Sequence, residues 1–191
     1  MQTYVALLRA VTPTGKNKVP MAQLRDVLTA AGFGRVRTYI QSGNVLIDTD
    51  SPPPVLAQQI NILIKRHIGP DLKVIVRTCG ELTAILQADP FRDYENAASC
   101  TYFVHFDEQP PDAATQAVAT QEYGRDEIVF EDRTAYLYIP GTYGDSKLSG
   151  PNLEKKLGVA ATMRNFNTMQ KLVSLACEAS SYDPSKRPVR P

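Results

Sequence analysis

The fold is decided by the segment Val159-Ala160-Ala161-Thr162-Met163-Arg164-Asn165-Phe166-Asn167-Thr168-Met169-Gln170-Lys171-Leu172. Its apolar start predicts a short buried strand, and Met169 and Leu172 recur at the spacing of an amphipathic helix. Hydrogen-bond donors gather where the strand meets the helix, at Arg164, Asn165, Asn167, Thr168 and Lys171. Backbone N–H groups and the helix dipole favour an anion at such a position. One of the two asparagines is also expected to cap the helix.

The elements before this segment repeat one order twice. In the first half, strands are predicted at residues 4–11, 36–40, 45–48 and 72–76, with helices beginning near Pro20, after Pro54 and at Gly80. In the second half, strands are predicted at residues 101–106, 127–130, 135–139 and 159–163, with helices at residues 110–121 and 151–157. Strand, helix, strand, strand, helix, strand is the order of the ferredoxin-like unit.

The sequence therefore predicts an α+β fold, a tandem of two ferredoxin-like (βαββαβ, alpha-beta plait) domains with antiparallel sheets and a C-terminal helix. The predicted boundaries are residues 1–88 for the first domain with its trailing helix, 89–99 for a linker, 100–180 for the second domain with the final helix, and 181–191 for a flexible tail. Arg77-Thr78 and Arg164-Asn165 each stand between a closing strand and a helix, which favours a structural duplication.

Composition limits the classes of function. The 191 residues carry a formal net charge of +1, so a phosphate or nucleic-acid site has to be a local basic cluster. No signal peptide or membrane-spanning run is apparent, and a cytoplasmic protein is predicted. Cys79, Cys100 and Cys177 are odd in number and widely spaced, which predicts neither a disulfide framework nor a zinc site. We expect no metal and no cofactor.

Polar and basic residues in several loops are candidates for binding an anion. Lys16 and Lys18 lie in a loop that lacks the nucleotide-binding pattern, so it is either a looser basic loop that contacts an anion or a solvated connector. A hairpin turn at residues 41–44 could be a recognition tip or only a turn. The ligand-binding candidates are Arg9, Lys16, Lys18, Gln41, Ser42, Asn44, Lys147, Arg164, Asn165, Asn167 and Lys171. The sequence indicates no catalytic residues.

Several of these segments together resemble one bacterial family. They are Leu7-Leu8-Arg9, Lys18-Val19-Pro20-Met21, Val36-Arg37-Thr38-Tyr39-Ile40-Gln41-Ser42-Gly43-Asn44-Val45, Ser146-Lys147-Leu148 and Thr162-Met163-Arg164-Asn165-Phe166-Asn167-Thr168. In this order they are similar to domain-of-unknown-function family 1697. The resemblance implies two ferredoxin-like domains and no established activity. Two departures are a loop with Pro13 in place of a glycine-rich segment, and Phe166 where the family commonly has Trp.

Three functional hypotheses stay open at this point. The leading one is a module that binds an anionic, phosphate-bearing ligand or nucleic acid. The second is an enzyme for a phosphorylated or carboxylated small molecule, although the sequence offers no obvious general base. The third is a structural or regulatory interaction protein of undetermined oligomeric state. An RNA-recognition motif is disfavoured, because the aromatic run at residues 102–106 lies on the first strand of its half rather than the third.

Overall fold

The computed structural model describes residues 1–180, and the predicted flexible tail at residues 181–191 lies outside them. The strands are β1 Gln2–Leu8, β2 Gly34–Tyr39, β3 Asn44–Thr49, β4 Val74–Thr78, β5 Thr101–Phe106, β6 Glu127–Glu131, β7 Thr134–Tyr138 and β8 Ala161–Asn165. The helices are α1 Met21–Ala30, α2 Pro53–His67, α3 Cys79–Gln87, α4 Ala97–Cys100, α5 Asp112–Ala119, α6 Gly150–Leu157 and α7 Phe166–Ser180, with a short 3-10 helix at Tyr143–Asp145.

The strands form two four-stranded sheets, with the orders β2-β3-β1-β4 and β6-β7-β5-β8. All neighbouring strands pair antiparallel. The predicted α+β class with antiparallel sheets is confirmed at this level.

Successive side chains of each central strand point to opposite faces of its sheet, because side chains alternate along a β-strand. Tyr4, Ala6 and Leu8 of β1 pack under α1 and α2. Val5 and Leu7 instead join a central cluster that also contains Phe103 of β5 and residues of α3 and α7. The outer face of the second sheet packs on α5 and α6. The two sheets therefore face each other across α3 and α7, and helices cover both outer faces.

The segment predicted as a linker is part of this packing. Phe91 is buried in the central cluster, and the four residues of α4 precede β5. Asp89 accepts a hydrogen bond from the backbone N–H of Phe91 at 2.9 Å. The absence of periodicity between residues 89 and 99 concealed this anchor, because a single buried aromatic residue produces no repeating pattern.

The prediction of no disulfide is wrong. Cys79 at the start of α3 is bonded to Cys177 near the end of α7, with Cα atoms 5.9 Å apart. The two residues are 98 positions apart in the sequence, and they meet only because α3 and α7 pack side by side. Short-range cysteine motifs carry no signal for such a pair. Cys100 is the remaining, free thiol.

Candidate functional site

Arg164 lies in β8 and is buried between the two halves of the chain. Its Nε donates to Asn44 Oδ1, and one Nη atom donates to Thr162 Oγ1 and Met163 O, both at 2.7 Å. The other Nη atom reaches three carbonyl oxygens at 3.2–3.3 Å, those of Leu8, Ser42 and Gly43. The guanidinium thus holds the end of β1 and the β2–β3 turn against β8.

Burial lowers the pKa of Arg164 to about 10, which leaves the side chain charged at neutral pH. Every acceptor around it is a neutral oxygen. Burying a charge without a carboxylate is costly, and the hydrogen bonds offset that cost. Arg164 therefore has a structural role, because its hydrogen bonds hold the two halves of the chain together. We call a buried arginine that does this a clasp.

Arg77 of β4 makes the reciprocal clasp from the first half. It is 2% exposed, and its Nη atoms donate to three carbonyl oxygens, those of Val76, Phe106 and Arg133. Phe106 ends β5 as Leu8 ends β1, and Arg133 lies in the β6–β7 turn as Gly43 lies in the β2–β3 turn. Burial, followed by repulsion from Arg133, lowers the pKa of Arg77 to about 10.

Backbone and capping contacts follow the same correspondence. Leu8 N donates to Gly43 O at 2.8 Å, and Phe106 N donates to Arg133 O at 3.0 Å. The helices after the two arginines are capped alike: Thr78 Oγ1 accepts from Glu81 N at 3.1 Å, and Asn165 Oδ1 accepts from Thr168 N at 2.9 Å. The capping box predicted at Thr78 is present. These paired contacts support the structural duplication.

The β2–β3 turn connects Arg164 to the lysine-containing loop. Asn44 Nδ2 donates to Tyr39 O and to Ser42 Oγ at 3.0 and 3.1 Å, which closes the turn. Gln41 Nε2 then donates to Val19 O at 2.8 Å, next to Lys18. Gly43 has φ +82°, and a Cβ there would lie 2.8 Å from Leu8. Glycine is therefore required for the turn to approach β1 this closely.

A shallow depression of about 310 Å³ lies where this loop meets the end of α2. We call it the basic depression; its lining is Gly15, Lys16, Lys18, Pro20, Gln23, Ile68, Gly69 and Pro70. Internal hydrogen bonds order the loop, from Lys18 N to Gly15 O and from Thr12 N to Asn17 O, each at 3.2 Å. Gln23 Nε2 donates to His67 O at 3.0 Å and joins the rim to α2.

Comparison with known proteins gives a family for this chain. A family model described as a protein of unknown function, DUF1697, matches residues 1–136. The chain belongs to the DUF1697 family. Comparison with curated proteins gave no match. Among solved structures, the conserved bacterial protein SP0830 from Streptococcus pneumoniae is similar with a TM-score of 0.72 and 20% identity, over 93% of this chain and 99% of that one. At this identity the likeness shows the fold alone.

The DUF1697 match includes the basic depression, the β2–β3 turn and Arg77, whereas Arg164 lies beyond the matched residues. Pro13, which departs from the glycine-rich segment of the resemblance, is exposed in the same loop. Phe166 is half-buried against the ring of Phe103, at 6.3 Å between ring centroids. The aromatic residue at the start of α7 therefore takes part in core packing.

The remaining candidates are not gathered around Arg164. Lys147, Asn167 and Lys171 are exposed, on the loop after β7 and on α7. Asn165 serves as the helix cap. Arg9 forms an ion pair with Glu154 of α6, in which Nη2 lies 2.7 Å from Oε2. The structure thus joins Arg164, Asn44 and Ser42 by hydrogen bonds, and Gln41 of the same turn bonds to Val19 beside Lys18. Lys147 and Lys171 lie on other exposed segments.

Sequence reasoning did not select Arg77, Glu154 or Gln23. Arg77 could have been selected from the sequence, because it precedes a capped helix as Arg164 does. Glu154 gave none, since its partner Arg9 is 145 residues away. No group of three metal-ligating side chains occurs within residues 1–180. In the same part of the chain, no helix is long and apolar enough to cross a membrane.

Glu154→Gln is expected to lower the free energy of unfolding at pH 7 by about 1 kcal/mol, because Arg9 is partly exposed and solvent screens the pair. Burial raises the pKa of Glu154, but hydrogen bonds from Arg9 and from Ala161 N–H outweigh it and hold the pKa below its usual value. The stabilisation is therefore complete above the unfolded-state pKa of a glutamate, about 4.3, and is lost as the pH falls through the lower folded-state pKa. Urea unfolding of both proteins between pH 3 and 7 would measure this, and a difference that grows on acidification would contradict it.

Proposed function

We propose that this DUF1697 protein is a binding module for an anionic, phosphate-bearing ligand, which it holds at the basic depression. The charge of the lining carries the proposal. Lys16 and Lys18 are the charged side chains of this depression, and no carboxylate lines it. The other depressions described on residues 1–180 each include Asp107 or the acidic group of Glu81, Glu131 and Asp132.

Two ammonium groups on one ordered loop suit an anion. Each lysine is a mobile point charge that can approach a phosphate oxygen. A loop already closed by its own hydrogen bonds loses less conformational entropy when the ligand binds. Both lysines are exposed, so salt should weaken the interaction strongly.

The hydrogen bonds that connect Arg164 to the lysine loop give Asn44 and Gln41 a role in this proposal. Arg164 fixes the β2–β3 turn through Asn44 Oδ1 and the carbonyl of Gly43, and Gln41 of that turn holds Val19 beside Lys18. The second half of the chain would thereby set the position of the lysine loop on the first half.

We further infer that each half is a ferredoxin-like unit, with the predicted boundaries at residues 1–88 and 100–180, and that the protein acts in the cytoplasm. The strand orders β2-β3-β1-β4 and β6-β7-β5-β8 support the first inference. Since Phe103 and its neighbours are buried between the sheets, bases could not stack on a sheet face as they do on RNA-recognition motifs. Nucleic acid would be bound through its phosphates.

Lys16→Ala combined with Lys18→Ala is expected to weaken binding of pyrophosphate and of a single-stranded oligonucleotide about tenfold or more at low salt, with little change in melting temperature. For the oligonucleotide, loss of two phosphate contacts should reduce the slope of log K against log salt by about 1.4. Fluorescence anisotropy and calorimetry at several salt concentrations would measure both effects.

The matched control is Lys155→Ala with Lys156→Ala, which removes the same charge from the exposed surface of α6 in the other half. This control should bind as the parent does. Equal weakening in both double variants would mean that only net charge matters, and unchanged binding in the loop variant would remove the proposed site.

A further inference from the structure

A second cavity lies between the two halves, next to the Arg77 clasp. Its volume is about 270 Å³, and its lining includes Arg77, Glu81, Ala84, Ala88, Arg133 and Tyr136. Residues of α3 form one side, and the β6–β7 hairpin forms the other. This cavity and the basic depression have no lining residue in common.

The duplication explains why a cavity opens on this side. Counted from the two clasp arginines, Ala84 of α3 corresponds to Lys171 of α7, and Ala88 corresponds to Leu175. The second clasp therefore carries long side chains where the first carries methyl groups. Leu175 is half-buried in the central cluster, whereas Ala88 is exposed. Two alanines leave the space beside Arg77 empty.

The lining of this cavity has two electrical poles. Arg133 contributes to lowering the pKa of Arg77, after burial as the main cause. Arg133 also pairs with Glu81 across 3.2 Å, so two arginines share one carboxylate at this pole. At the other pole, burial first and then Glu131, Asp89 and Asp132 raise the pKa of Tyr136. Tyr136 OH donates to Glu131 Oε2 at 3.3 Å, so this carboxylate marks the negative pole.

We propose that the cavity between α3 and the β6–β7 hairpin binds a small zwitterion of the α-amino acid class. Its carboxylate would lie toward Arg77 and Arg133, and its ammonium group toward Glu131 and Asp132. The hydrogen bonds of Arg77 go to neutral carbonyl oxygens, and Glu81 is hydrogen-bonded to Arg133 instead, so a ligand carboxylate would supply a second counter-charge for the two arginines. Pockets for drug-sized ligands measure roughly 300–1,000 Å³, and this cavity is below that range. The methyl groups of Ala84 and Ala88 leave room for a short apolar side chain.

The test is calorimetry of the full chain with a panel of free L-amino acids, their N-acetyl derivatives and their amides. At least one free amino acid should bind in the millimolar range or more tightly, and removal of either end charge should weaken it about tenfold or more. Glu131→Gln with Asp132→Asn, both exposed positions, should weaken the amino acid but leave its N-acetyl derivative unchanged.

Ala88→Leu introduces the residue that stands at the corresponding position of the other half, Leu175. The larger side chain should fill the cavity and abolish amino acid binding, while the melting temperature stays the same or rises. If that variant proves unstable, the exposed Glu131 and Asp132 variant decides the question. Lys16→Ala with Lys18→Ala should leave amino acid binding intact, which separates this site from the basic depression. The proposal is overturned if no amino acid binds at about 10 mM, if Ala88→Leu folds and binds as the parent does, or if N-acetylation makes no difference.

Discussion

Replacing Arg164 by Met is expected to lower the free energy of unfolding by about 2–4 kcal/mol. Methionine retains most of the apolar volume of the side chain but leaves Asn44 Oδ1 and the carbonyl of Ser42 without their donor in a buried site. Relief from burying a charge offsets part of this loss. For a chain of this length, the melting temperature should fall by roughly 5–15 °C.

Arg77→Met provides the reciprocal test, because Arg77 clasps the second half as Arg164 clasps the first. If both residues act between the halves, each single variant should destabilise the whole chain in one transition. Lys171→Ala is the control, since this exposed residue should change stability by less than about 0.5 kcal/mol. Calorimetric melting of the three variants measures this, and an Arg164→Met protein as stable as the control would show that the clasp has no stabilising value.

Local signals predicted the elements well, because strands, caps and turns are set by neighbouring residues. The pairing of Thr78 with Glu81 indicated a capping box, and the structure has both of its hydrogen bonds. Asn165 likewise caps α7 as expected. The repeated order of elements indicated two similar halves, and both sheets have equivalent strand orders.

The contacts that hold the halves together could not be predicted in this way. Arg164 looked like a surface anion ligand because its sequence neighbours are polar, yet its partner Leu8 O is 156 residues away. Burial between two sheets depends on how the halves dock, and no local periodicity encodes docking. The correspondence of Arg77 with Arg164 was visible in the sequence, but its meaning became clear only from the carbonyl groups that each arginine binds.

Reduction of the Cys79–Cys177 disulfide is expected to lower the free energy of unfolding by about 2–5 kcal/mol, and the melting temperature by roughly 5–15 °C. The bond closes a segment of 98 residues, so it restricts the unfolded chain strongly. The same bond fastens α3, which follows the first sheet, to α7, which follows the second. Melting with and without dithiothreitol would measure the effect.

Cys79→Ser with Cys177→Ser should melt at the temperature of the reduced parent and should no longer respond to dithiothreitol. Cys100→Ser is the matched control, because Cys100 is the free thiol and its replacement should leave the dithiothreitol response intact. A double serine variant that still gains stability under oxidising conditions would assign the effect to another group.

The number of free thiols tests the disulfide prediction and the proposed cytoplasmic location together. Protein purified without reductant should contain one reactive thiol in the unfolded state if the bond is present, and three if the chain is kept reduced. A reducing cytoplasm favours the second state, in which α3 and α7 are held by apolar packing that includes Leu82, Leu172 and Ala176. Three thiols together with a melting temperature insensitive to oxidation would mean that Cys79 and Cys177 serve only as apolar contacts between the two helices.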